Sequence, residues 1–177
     1  MSFKFRVLYV VLIICGCVAC KSTATVIELN QLKEAVAKNN FEFVANSAQP
    51  LSIAGVSGLE NLLPMGSNLG YINLIGNPNF LIVKKDSIHL DMPYYGVRRM
   101  GGTYGSADVG LKFNGKFDTV ETKFNTKKNS YVIKYSITKS DENLKLTLTL
   151  FTKNSATLNV VSSHRNAINY NGQWETN

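Results

Sequence analysis

The sequence predicts an all-β fold: an antiparallel meander closed into a barrel or a sandwich, preceded by one N-terminal amphipathic helix. Three observations carry this. First, Leu144, Leu146, Leu148 and Leu150 alternate with Lys145, Thr147 and Thr149, and Tyr131, Ile133, Tyr135 and Ile137 oppose Val132, Lys134 and Ser136. That period of two marks strands with one buried face. Second, the linkers between such runs hold only a few residues, which suits antiparallel neighbours and leaves no room for crossover helices. Third, only one stretch has helical spacing. Barrel and sandwich stay equally open, because alternation is the same in both.

The helical stretch covers residues 26–39, VIELNQLKEAVAKN, where Ile27, Leu29, Leu32, Ala35 and Val36 form the apolar stripe. Asn39-Asn40 ends the pattern, and the stripe is expected to pack on its own domain. Strands begin with residues 41–45. Residues 51–69 are too apolar for a simple surface loop and too irregular for a strand, so extra core packing is expected there. Strands then follow at 71–75, 80–84, 87–91, 109–113, 117–124, 130–138, 143–151, 156–162 and 167–170. Asn114-Gly115 reads as a hairpin turn between two of them.

Between the strands lies residues 91–113, DMPYYGVRRMGGTYGSADVGLKF, with one proline, three tyrosines, two adjacent arginines and five glycines. Proline and so many glycines mark a loop with demanding backbone geometry.

Residues 1–6 hold Lys4 and Arg6 and no acid, residues 7–14 are unbroken VLYVVLII, and the three cysteines of the whole chain follow at 15, 17 and 20. A basic start, a short apolar run and small residues make a secretory signal peptide. The apolar run falls short of the roughly 20 residues that span a bilayer. The cysteines resemble the lipobox of bacterial lipoproteins. Ile14-Cys15-Gly16-Cys17 fits the pattern better than Cys17-Val18-Ala19-Cys20, so Cys17 is the expected lipid attachment site and Cys20 the alternative. Ordinary cleavage leaving Cys20 as a thiol is the plainer account. The expected division is residues 1–16 as signal peptide, 17–25 as lipidated cysteine and short tether, and 26–177 as a single β-rich domain. Such a chain is exported and held at a cell-envelope membrane, on the periplasmic face or the outer membrane. A body without cysteine suits that route, since nothing in it oxidises wrongly.

The formal charge of +7 falls to about +5 once Lys4 and Arg6 are removed. The excess is spread as single lysines, with pairs only at 84–85, 98–99 and 127–128. Nucleic-acid binders concentrate charge on one face, so no nucleic-acid partner is expected.

Several separated motifs resemble a known family. Phe41-x-Phe43-x-Ala45, Gly76-Asn77-Pro78-Asn79-Phe80-Leu81, Pro93-Tyr94-Tyr95-Gly96 and Gly101-Gly102-x-Tyr104 are similar to segments of exported Bacteroidetes lipoproteins known as domain of unknown function 4251. So are Val109-Gly110-Leu111-Lys112-Phe113, Leu146-Thr147-Leu148, Ala156-x-Leu158-x-Val160 and Ser163-x-Arg165-x-x-Ile168-x-Tyr170-x-Gly172. The resemblance spans residues 41–172 and implies location and domain extent. It implies no catalytic residue.

Chemistry has little to work with. His89 and His164 are the only histidines. His89-Leu90-Asp91 sets two possible ligands on one strand face, but a metal site needs a third, so no metal is expected. Cys15, Cys17 and Cys20 lack a fourth ligand for zinc. Ser162-Ser163-His164 names a nucleophile and a base, yet neighbours on an extended chain point to opposite faces. Gly101-Gly102-Thr103-Tyr104-Gly105 precedes a strand, where phosphate cradles need a helix. No cofactor and no enzymatic activity are expected.

Binding is the better expectation. Tyr94, Tyr95, Arg98, Arg99 and Tyr104, joined by Arg165, combine aromatic area with cationic hydrogen bonding and form the candidate surface. In the plainer account, Tyr94 or Tyr95 plugs one barrel end and an arginine caps it. The expected role is a binding or envelope-structural module, with a membrane partner through its lipid and an unknown ligand. The alternative is a hydrolase of glycans or envelope polymers, which would require two carboxylates a few ångströms apart.

Overall fold

The computed structural model describes residues 26–52, 63–100, 110–139 and 142–177. The candidate lipid attachment residues Cys17 and Cys20, the signal peptide, most of residues 51–62 and Tyr104 lie outside them.

Helix α1 (Val26–Lys38) turns directly into the sheet through Asn39, whose φ of 45° is the left-handed conformation that ends a helix. Leu32, Ala35 and Val36 are buried, but Ile27 is 67% exposed, so the apolar stripe seats only its C-terminal half.

Among the described residues, ten strands make one antiparallel sheet: β1 (Asn40–Pro50), β2 (Ile72–Asn73), β3 (Phe80–Lys84), β4 (Ser87–Met92), β5 (Leu111–Lys116), β6 (Thr119–Asn125), β7 (Ser130–Thr138), β8 (Asn143–Phe151), β9 (Ser155–Ser162) and β10 (Ile168–Glu175). Their order is β5-β4-β3-β1-β10-β9-β8-β7-β6, with the short β2 also on β1. The chain therefore meanders through β3–β5 and β6–β10, and β1 locks the two halves by lying between β3 and β10. The described strands form one sheet where a sandwich has two, and its shape is a curled half barrel. The curl has a covalent cause. β5 and β6 stand at opposite ends of the order, yet only Phe117 and Asp118 join them, a link reaching about 11 Å at most.

Asn114 and Gly115 do not form the expected hairpin turn. Both lie inside β5, paired with His89 and Ile88 of β4. The Phe113 ring lies 3.2 Å from where a Gly115 Cβ would sit, so an aromatic neighbour covers the glycine and the strand runs on. The chain bends instead at Phe117–Asp118, where Asp118 N–H already bonds to Ser136 of β7.

The core lines the concave face. Ile133, Tyr135 and Ile137 of β7 and the four leucines of β8 are all buried there, as the alternation predicts. Leu63 and Leu69 pack against this core from the irregular segment.

One irregularity sets the centre of the sheet. Between β1 and β10 the register slips at Asn46, so Ala45 faces Gly172 and Ser47 faces Asn171. This β-bulge flips the inward parity of β1 from Phe41, Phe43 and Ala45 to Ala48 and Pro50. A Cβ on Gly172 would stand 2.7 Å from Ala45 Cα and closer still to the Val44 carbonyl, so only glycine fits. On its other side Ala45 has no strand partner among the described residues. The buried Asn79 side chain replaces one, accepting from Ala45 N–H at 2.8 Å and donating to its carbonyl at 3.0 Å.

Candidate functional site

The loop after β4 (residues 93–100) and the loop between β9 and β10 (163–167) meet at one end of the half barrel. They are stitched by backbone. Arg98 and Arg165 form an isolated antiparallel bridge, Arg99 N–H donates to the His164 carbonyl at 2.6 Å, and Asn166 N–H donates to Val97 at 3.1 Å.

Tyr94 runs inward beneath this seam. It is 8% exposed, and its hydroxyl is shared between the carbonyls of Val97 (3.1 Å) and Asn166 (3.0 Å). Gly96 makes room for it: a Cβ there would lie 2.9 Å from Tyr94 Cζ. Burial raises the hydroxyl above its usual pKa, and the charges of Arg165 and Arg99 oppose that shift. Deeper in, the Tyr170 hydroxyl donates to the Pro93 carbonyl at 2.8 Å, and burial holds it protonated well above the ordinary phenol range.

Arg165 is buried and paired. Its Nε lies 3.0 Å and 3.3 Å from the two carboxylate oxygens of Glu142, and Nη1 donates to the Gly110 carbonyl at 3.0 Å. Its guanidinium stands 5.2 Å from the Tyr94 ring centroid, a cation–π distance. Ser162 completes the cluster. Its hydroxyl donates to Glu142 and accepts the N–H groups of His164 (2.8 Å) and Arg165 (3.0 Å), which shapes the bend after β9.

The structure thus splits the sequence-predicted surface into two layers. Tyr94 and Arg165 are internal, Tyr95 and Arg98 are half-buried, and Arg99 is exposed. Tyr104 lies outside the described residues. Glu142 is the member that residue-by-residue reading missed, and Ser162 enters that reading only as a possible nucleophile, not as a partner of Glu142. Glu142 sits among ordinary turn residues, and its partner is 23 positions away.

Ser163 and His164 correct another expectation. Because β9 ends at Ser162, they occupy a bend and do not point to opposite faces: Ser163 Oγ lies 2.7 Å from His164 Nδ1. That oxygen also accepts Asn143 N–H at 3.0 Å, so it works as a clasp between β8 and the bend. His89 and Asp91 lie on the outer face of β4, His89 edge-on to Phe80 and Asp91 3.8 Å from the Lys112 ammonium. Among the described residues, no group of three or more His, Cys, Asp or Glu could hold a metal ion. None of their helices is long and apolar enough to cross a membrane.

The comparisons with known proteins agree with this architecture. A crystal structure of a DUF4251 family protein from Bacteroides eggerthii matches with a TM-score of 0.56 at 16% identity, over 85% of this chain and 88% of that one. At that identity the match speaks for the fold. No curated protein matches. The family model described as domain of unknown function (DUF4251) covers residues 26–174, from the first turn of α1 to Trp174 in β10. The chain belongs to the DUF4251 family.

Proposed function

We propose that this protein is an exported lipoprotein, cleaved after residue 16 and lipidated on Cys17, whose β-domain works at a cell-envelope membrane as a non-catalytic binding or structural module. The anchor reading rests on the order basic residues, apolar run, cysteine, with the first described residue, Val26, nine positions beyond Cys17. Acyl chains contribute about 0.8 kcal/mol per buried methylene, so two or more hold the domain at a bilayer without its help.

The observation that carries the binding reading is the two-layer loop end. Buried Tyr94, Arg165 and Glu142 lie beneath the backbone of 97–100, and that hydrogen-bonded seam presents Arg99 at the surface, with the half-buried Arg98 and Tyr95 beside it. A fixed cationic and aromatic rim suits sugars or lipid headgroups bearing carboxylate or phosphate. The hydrolase alternative has a narrower footing, because the buried carboxylate of Glu142 is already committed to Arg165 and Ser162.

Two measurements test the proposal. Metabolic labelling with a tagged fatty acid should mark the wild-type chain and the Cys20→Ala variant but not Cys17→Ala; label retained in Cys17→Ala refutes that assignment. Binding to arrays of acidic glycans and anionic lipids should fall about tenfold or more in an Arg98→Ala/Arg99→Ala variant of unchanged stability. Equal binding by both proteins refutes the rim.

A further inference from the structure

The two edges of the sheet are treated differently. At the β5 edge the Lys139 ammonium donates to the Lys112 carbonyl at 3.2 Å, so a lysine blunts that strand. At the other edge, β6 pairs with β7 on one side, and no described strand pairs with its other side. Thr119–Phe124 are exposed on both faces, Val120 at 40% and Phe124 at 38%. An exposed strand with one unpaired edge is a template for another strand.

The sequence of β6, TVETKFN, says which strand fits. Laid antiparallel on a second copy with Thr122 on the twofold axis, Val120 meets Phe124 of the other copy and Glu121 meets its Lys123. Thr119 meets Asn125, and Thr122 meets itself. Each apolar or charged pair occurs twice, as an isologous interface requires. The faces agree as well. Val120, Thr122 and Phe124 stand opposite Tyr135, Ile133 and Tyr131 of β7 and so face the concave side. Glu121 and Lys123 therefore share the convex side. In its own sheet Glu121 is opposite Lys134, so the joined sheets would carry a Lys-Glu-Lys row across the junction. The register puts residues of equal parity opposite each other, so the set with outward-pointing N–H and C=O groups meets the same set in the other copy.

We infer that β6 is a self-complementary docking edge, through which two copies of this chain join their sheets antiparallel about Thr122. The inference stands independently of the lipid anchor and of the arginine rim. One seven-residue strand per copy is a small interface, so the dimer is weak and concentration-dependent.

The test is sedimentation equilibrium of the full chain in density-matched detergent, with reductant to keep the cysteines from linking chains. Wild type should dimerise reversibly. E121K and K123E, each of which sets like charges opposite each other, should weaken dimerisation by about tenfold or more. The E121K/K123E exchange should restore it, and a mixture of the two single variants should form a heterodimer. Unchanged unfolding midpoints show that the single variants still fold. A monomer at all concentrations overturns the inference, as does a dimer indifferent to these changes or an open series of higher oligomers.

Discussion

Removing the Glu142 carboxylate while leaving Arg165 in place is the sharpest test of how the loop end is held. In Glu142→Leu the guanidinium keeps its bond to Gly110 and its contact with Tyr94 but loses both carboxylate oxygens, at a site where the paired side chains are 7% and 2% exposed. The Ser162 hydroxyl loses its acceptor in the same step. Breaking a buried ion pair in this way costs about 3–5 kcal/mol, a large share of the roughly 5–15 kcal/mol that holds a typical domain folded. Arg165→Met, which leaves the carboxylate stranded, should cost a similar amount. The double variant Glu142→Leu/Arg165→Met carries no buried charge and should return to within about 2 kcal/mol of wild type. Urea unfolding followed by the fluorescence of Trp174, the single tryptophan, reads all four corners of the cycle. Single variants within about 1 kcal/mol of wild type, or a double variant as poor as the sum of the singles, would refute the claim that this pair is dry and mutually dependent.

Other outcomes follow from the sheet itself. Asn79→Ala leaves the N–H and carbonyl of buried Ala45 without the side-chain partners described above and should lower stability by about 2–4 kcal/mol in the same assay. Gly172→Ala forces β1 and β10 apart at the bulge and should cost at least about 2 kcal/mol, seen as a lower thermal midpoint. The hydroxyls of Tyr135 and Tyr170 have folded pKa values above the usual 10.0, so above that pH the unfolded chain binds fewer protons than the folded one. Their contribution is therefore complete below pH 10 and declines as pH rises, by about 1.4 kcal/mol per pH unit for each group. Phenolate absorbance should show both titrating with alkaline unfolding, and Tyr135→Phe should shallow the slope.

Much of the sheet was legible because alternation in β7 and β8 reports burial directly. Contacts far apart in sequence were not. Asn114-Gly115 is a strong turn signal locally, and what overrides it is the Phe113 ring over Gly115 together with pairing to β4. Ser163 and His164 obey the rule for extended chains only if the strand continues, and Ser162 ends it by accepting two N–H groups. Barrel and sandwich could not be separated because the deciding fact is where β1 lies. The aromatic and cationic residues of the loop were legible as a cluster. Their division into a buried layer and a surface layer depends on Glu142, whose pairing no local pattern announces.

The position of β10 bears on how the chain reaches this state. It is the last of the described strands, yet it lies in the middle of the sheet and pairs with β1, the first of them. Hairpins such as β7–β8 join neighbours in sequence, whereas β1 must wait until β10 has been made, and non-local closures of that kind slow folding. A ribosome stalled before Ile168 would release a chain cut at the sheet's centre: two half-sheets, each with a bare edge where β10 belongs.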